Sequence, residues 1–278
     1  MVERFQLICS YLGGEYYGWQ RQPDVPTVQG VIEDQIGRLT ENNITIHASG
    51  RTDRGVNALG QVAHFDVDSR PRFRVHNWPA VLNEMLPYDI RIRSLEPAVK
   101  QFHARHSARR RVYGYRFLCL ENKILKPELE WRFAPEEWFP SAAEQAVTQL
   151  QNGVKTQQFS GSGGSTHEAE YWPLELELRR VSEREIWLLV AAKSFRYKMV
   201  RCIASAVGQC LSGTLSEGDL KKLLNNSEQT IKPAPAAGCY LLNVNYEQRD
   251  KKFIIQKAWQ RVKDFRAAGN CQQALFER

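Results

Sequence analysis

The segment Ala48-Ser49-Gly50-Arg51-Thr52-Asp53-Arg54-Gly55-Val56 sets one carboxylate, Asp53, between two arginines and two glycines. It follows a short alternating apolar stretch directly. Glycine lets a chain turn sharply and lets another molecule come close. A carboxylate beside guanidinium groups is held in its charged form. An ionised carboxylate on a tight loop suits a nucleophile or a general base. The same residues also suit a plainer role, in which Asp53 caps the turn and pairs with Arg51 or Arg54. The segment by itself leaves both roles open.

A second chemical signal lies at residues 105–116, which carry Arg105, Arg109, Arg110, Arg111 and Arg116 with Tyr113 and Tyr115 among them. Arginines bind phosphates, and aromatic rings stack on unpaired bases. A basic strand face turned to solvent has the same composition. A formal net charge of +7 and a sequence pI near 9.1 favour a polyanionic partner. No metal site is expected from His64, His103, His106 or His167. His103 and His106 have metal-like spacing but no second ligand pair, and His167-Glu168 lacks the following histidine of a zincin. Structural or surface roles are expected for these three and for His64. The six cysteines include no C-x-x-C pair, as expected for reduced, mostly buried thiols in a cytosolic protein. Gly161-Ser162-Gly163-Gly164-Ser165 lacks the Walker lysine spacing and reads as a surface loop.

Periodicity supplies the elements that must carry these residues. Strands are expected at Arg4–Tyr11, Ile44–Gly50, Gln61–Val67 and Asp89–Leu95. Helices are expected at 27–41, with Thr27 as N-cap, and at about 77–86. That is the split β-α-β-β-α-β order of a ferredoxin-like unit. The order then repeats. Strands fall at Arg111–Leu120, Leu174–Leu178, Ile186–Ala192 and Tyr240–Tyr246, with helices at 135–151, interrupted by Pro140, and at 198–212. Residues 249–278 read as a charged amphipathic helix. The expected layout is therefore residues 1–105, 106–248 and a tail at 249–278. No apolar run is long enough to span a bilayer, and the first residues lack a signal-peptide pattern.

Taken in order, these segments resemble the TruA-type tRNA pseudouridine synthase family. The resemblance runs over about residues 5–246. Tyr16-Tyr17-Gly18-Trp19-Gln20-Arg21-Gln22, followed by Thr27-Val28-Gln29, is similar to the family's opening signature. Gly50 to Val56 is similar to its catalytic loop. Leu82-Asn83, Leu86-Pro87 and Asp89-Ile90 are similar to the end of its first half, and Phe102-His103-Ala104-Arg105 precedes the basic strand. Phe195 with Met199-Val200-Arg201, then Ala236-Gly238-Tyr240-Leu241, completes the set.

The resemblance implies an α+β protein of two ferredoxin-like halves sharing an extended antiparallel sheet, with a central active-site cleft. It implies a cytoplasmic homodimer that isomerises uridines at positions 38–40 of the tRNA anticodon stem-loop, without metal or organic cofactor. It makes Asp53 the catalytic carboxylate, Arg201 its ion-pair partner, and Tyr113 the ring that stacks on the displaced uracil. Arg51, Arg54, Arg109, Arg110 and Arg111 become substrate-binding candidates. Tyr115 is left to the core. Three departures stand out: Leu12 replaces an Asp, Asn57 replaces a His, and Thr166–Trp172 lacks an Arg-Thr dipeptide, with Glu168 and Glu170 there instead. They bear on the choice of RNA. A synthase for another tRNA position or another RNA, and an RNA-binding or RNA-folding protein without catalysis, are the alternatives.

Overall fold

In the computed structural model, the described residues are 2–68, 77–119, 131–133, 140–151, 153–155, 158–160, 171–172, 174–225 and 230–267. The elements run β1 (Val2–Tyr11), α1 (Val28–Thr40), β2 (His47–Ala48), β3 (Asn57–Asp68), α2 (Trp78–Met85), β4 (Ile90–Pro97) and β5 (Arg110–Cys119). They continue with β6 (Trp131–Phe133), α3 (Pro140–Gln151), β7 (Val154–Lys155), β8 (Tyr171–Trp172), β9 (Glu175–Ser182) and β10 (Glu185–Ala192). The last are α4 (Met199–Leu211), α5 (Glu217–Asn225), β11 (Cys239–Asn245) and α6 (Lys251–Ala267). The fold is α+β. The chain divides into two compact units, Met1–Arg111 with Leu241–Arg278, and Val112–Tyr240.

In the first unit the strand order is β4-β1-β3-β11, with β2 on β3. β1 runs antiparallel to both neighbours, pairing Phe5 with Phe65 and Leu7 with Ala63 on one side, and Leu7 with Leu95 on the other. Side chains alternate across a strand, so Phe5, Leu7 and Phe65 leave from one face. Trp78 of α2 packs there, its ring 5.4 Å from Phe5 and 6.3 Å from Phe65. α1 starts where expected, because Thr27 Oγ1 accepts from the Gly30 N–H at 3.3 Å. α6 buries Ile254, Ala258, Trp259, Val262 and Phe265. Its Arg261 donates to the Leu59 carbonyl at 2.8 Å, over a glycine, Gly60, where a Cβ would lie 3.0 Å from the guanidinium carbon. These anchors tie α6 to the first unit.

In the second unit the order is β5-β10-β9, with β6 parallel on β5. Every residue of β10 is buried, as in a strand covered on both faces. Glu185 is buried but satisfied: Arg116 Nε donates to it at 2.8 Å and Trp187 Nε1 at 2.7 Å. Burial on nearly every side makes α4 a core helix.

Three local expectations change. Only His47–Ala48 of the 44–50 stretch joins the sheet, since α1 side chains occupy the Ile46 backbone. Glu33 Oε1 accepts its N–H at 2.8 Å, and Gln29 Nε2 donates to its carbonyl at 3.2 Å. Pro140 opens α3 rather than interrupting it, at a first-turn position where a missing N–H costs nothing; residues 134–139 lie outside the described residues. α5 was not expected. Ser216 Oγ caps it, accepting from the Asp219 N–H at 3.1 Å and donating to the Asp219 carboxylate at 2.6 Å. That Ser-x-x-Asp pattern was readable. The Gly161–Ser165 loop and Thr166–Glu170, with His167 and Glu168 between, also lie outside the described residues.

Candidate active site

Asp53 stands on the connection from β2 to β3, half-buried, with Arg51 and Arg54 exposed on either side. Its carbonyl accepts from the Val56 N–H at 3.1 Å, closing a tight turn in which Gly55 takes φ 79°. That is a left-handed conformation glycine adopts without strain. The loop is held at its root, its middle and its far end.

At the root, the Ser49 N–H donates to the Val62 carbonyl at 2.7 Å. Ser49 Oγ donates to Gln61 Oε1 at 2.8 Å, while Gln61 Nε2 donates to the Gly50 carbonyl at 2.9 Å. In the middle, Thr52 Oγ1 shares a 2.8 Å hydrogen bond with the Tyr11 hydroxyl. The Thr52 carbonyl accepts from the Trp19 N–H at 3.1 Å. At the far end, Asn57 Oδ1 accepts from the Gly13 N–H at 2.9 Å. Asn57, one of the sequence departures, is thus a buried anchor of the loop.

The opening signature is explained by the same loop. Gly18 sits at φ 93°, and a Cβ there would come within 2.8 Å of the Thr52 carbonyl and 3.2 Å of the Asp53 carbonyl carbon. Trp19 is buried beside Tyr11, ring centroids 5.8 Å apart. The Arg54 guanidinium lies 4.1 Å over the Tyr17 ring, a cation–π contact that holds a flexible arginine beside Asp53. Arg21 spends its charge on Glu33 and Asp34, at 3.1 and 2.9 Å. Tyr16 donates to Asp89 at 2.6 Å; burial raises the Asp89 carboxyl above its ordinary range.

The basic segment separates into different environments. Arg109 is exposed and its N–H donates to the Asn245 carbonyl at 2.8 Å; Arg110 is half-buried. Arg111 is 7% exposed. Its Nε and Nη2 reach the Ser49 carbonyl at 3.1 and 2.5 Å, and Nη2 also reaches the Arg105 carbonyl at 2.9 Å. Its charge is directed inward, at the root of the Asp53 loop.

Beside this root the turn at 102–107 is clamped on β3. His64 Nδ1 accepts from the Ala104 N–H at 3.2 Å, and the Tyr246 hydroxyl donates to the Ala104 carbonyl at 2.8 Å. Arg4, paired with Asp66 at 2.7 Å, also donates to the Phe102 carbonyl at 2.9 Å. The rings of His47, His64, His103 and His106 form a chain with centroids 5.1, 4.6 and 4.3 Å apart. Burial pushes His64 down to about 4, helped by His103, Arg4 and His47 nearby. His103 Nδ1 accepts from the N–H groups of Arg105 and His106. These rings organise backbone. Among the described residues no group of three or more His, Cys, Asp or Glu side chains is arranged to hold a metal ion.

In the second unit, Tyr113 is buried on β5 with Phe195 edge-on at 5.2 Å. Arg201 is half-buried in the first turn of α4. Its Nε donates to the Ala234 carbonyl at 2.7 Å, and the Ala234 N–H donates back to the Arg201 carbonyl at 3.0 Å. The turn before it is left-handed at Lys198, φ 58°. Tyr115 is fully buried, its hydroxyl on the Pro235 carbonyl at 3.0 Å. Gly238 fits against that ring, where a Cβ would approach to 2.7 Å. Sequence reasoning missed Gln61, Tyr11 and Thr52, and singled out Asn57 only as a departure bearing on the choice of RNA. Gln61 offered a signal as the polar residue in the otherwise apolar stretch Ala58–Ala63 of β3.

A family model described as tRNA pseudouridine synthase matches residues 7–107 and 155–247. The chain is 34% identical over 257 residues to tRNA pseudouridine synthase A of Maridesulfovibrio salexigens, covering 88% of this chain and 91% of that one. It is 34% identical to the protein of the same name from Akkermansia muciniphila, over 91% of this chain and all of that one. The corresponding protein of Brevibacillus brevis is 32% identical over 88% of this chain and all of its own length. With a matched model over most of its length and relatives aligned nearly end to end, this chain belongs to the tRNA pseudouridine synthase family.

Proposed function

We propose that this chain isomerises uridine to pseudouridine in tRNA, at positions 38–40 of the anticodon stem-loop, as a cytoplasmic homodimer with Asp53 as its essential carboxylate. Family membership supports the reaction class. The observation that carries Asp53 is its loop: a half-buried carboxylate whose flanking backbone is fixed at Ser49, Gly50, Thr52 and Asn57. Fixing a reacting group in advance removes orientational entropy from the reaction barrier.

The bond between uracil N1 and the ribose C1′ breaks, the base turns, and C5 is joined to C1′. The proton on C5 is then lost to solvent and N1, freed from the ribose, takes one up, so that the product is an isomer of uridine. Asp53 begins this by attacking the ribose or the base, or by taking a proton from the ribose. The proposal assigns Tyr113 to stack on the free uracil and to help remove the C5 proton. It assigns Arg201 to aim the Asp53 carboxylate, since a guanidinium pairs strongly and in a fixed geometry with a carboxylate. Arg51, Arg54, Arg109 and Arg110 serve the tRNA backbone. Taking a base out of a stacked stem costs a few kcal/mol, and phosphate contacts offset that cost.

The test uses unmodified tRNA carrying uridine tritiated at C5. The parent should release tritium, and Asp53→Asn should lose at least about 10²–10⁴-fold of that rate. The variant should bind tRNA as well as the parent or better, because a negative charge near phosphate is removed. Release by Asp53→Asn at the parent's rate would remove Asp53 from its role. Salt-sensitive binding by a parent that releases nothing would favour an RNA-binding protein.

A further inference from the structure

We infer that Arg111 is a positioning residue for the Asp53 loop and not a ligand for tRNA phosphate, an inference that rests on the reading of Asp53 above. Arginine carries five N–H donors in a rigid plane and no acceptor. Here two of its nitrogens converge on one carbonyl, that of Ser49, and one of them also reaches Arg105. Hydrogen bonds from an ionised donor are about twice as strong as neutral ones. The side chain is buried, so its charge is not presented to a polyanion.

The target is the last carbonyl before Gly50. Gly50 lies directly against Arg111, where a Cβ would stand 3.5 Å from Nε and 3.9 Å from Cδ. Gln61 holds the following carbonyl from another direction, at 2.9 Å. Arg111 therefore fixes the direction in which the chain enters the loop, and Asp53 is only four residues further on. The next fixed point is Thr52, on Tyr11 and Trp19. Arg111 also ties the root to the Arg105 carbonyl, in the turn that His64 and Tyr246 clamp. The loop thus takes its aim from β3, Arg111 and the 102–107 turn together, all within the first unit.

The experiment compares Arg111→Lys and Arg111→Met with the parent in the full chain, reading single-turnover tritium release and tRNA affinity over a range of salt. The expected result is a loss of about 10–100-fold in rate, because a misplacement near 1 Å costs that much. Affinity should stay within about twofold and the salt slope should not change. Millimolar methylguanidinium should restore part of the rate to Arg111→Met, which a general loss of stability would not permit. Affinity that falls with a salt slope smaller by about 0.7–0.9 would make Arg111 a phosphate ligand and overturn the inference. An unchanged rate in both variants would also overturn it. If Arg111→Met does not fold, Arg111→Lys decides alone. If the parent releases no tritium, the functional reading fails separately. Amide exchange then decides the inference: faster exchange at Gly50–Arg54 in Arg111→Lys supports it, and unchanged exchange refutes it.

Discussion

Gly18 shows how a residue far from Asp53 in sequence constrains it. Its φ of 93° and the 2.8 Å approach a Cβ would make to the Thr52 carbonyl leave no room for a side chain. Gly18→Ala should lower stability by about 1–3 kcal/mol, through backbone strain and the forced shift of the Thr52–Arg54 backbone. It should also slow tritium release, because the shift moves the loop. Thermal unfolding and single-turnover rates check both, and a variant as stable and as fast as the parent would refute the close packing. The candidate residue was legible at this scale: an Asp flanked by arginines and glycines stands out by residue type and spacing. The supports were not. Nothing in the one-dimensional pattern distinguishes Arg111, aimed at a carbonyl, from Arg109, exposed two residues earlier.

Elements add the pairing that brings supports to the loop. β2 and β3 pair His47 with His64, which places the imidazoles where the 102–107 turn lands on them. His64 is an acceptor in that clamp, and a protonated imidazole cannot accept at Nδ1. Its pKa falls from 6.5 to about 4 on folding, so the unfolded chain takes up the proton first. This contribution to stability is fully present above about pH 6.5 and declines as pH falls, with the loss complete below about 4. The parent's unfolding free energy should therefore fall through that window, with a His64 share of at most about 1.4 kcal/mol per pH unit. His64→Gln should remove that share; equal slopes for parent and variant would show that another group titrates. Periodicity gave β1, α1 and α2 to within a few residues because each buries one continuous face, and gave α4 because its length is apolar on nearly every side. It misjudged Ile44–Gly50, where apolar alternation was real but Glu33 and Gln29 took the backbone groups a ladder would have used.

For the whole molecule, the +7 charge predicts a salt-dependent encounter with tRNA. The logarithm of affinity should fall linearly with the logarithm of salt, and Arg51→Ala or Arg54→Ala should each reduce the slope by about 0.7–0.9. Unaltered slopes in both would take these two exposed arginines out of the RNA contact. Composition and the order of motifs determined the α+β class, the candidate carboxylate and the family, because those depend on residue type and local spacing. Tertiary structure decided which unit the C-terminal helix joins and which arginines of the basic run turn inward, Arg111 to the Ser49 carbonyl and Arg116 to Glu185. It also decided that Asn57 and Gln61 hold the loop. Those outcomes depend on partners tens to hundreds of residues away, such as Arg261 with Leu59 and Arg111 with Ser49. Such partners meet only once burial has fixed each strand's neighbours and driven most inward polar groups to find a hydrogen bond.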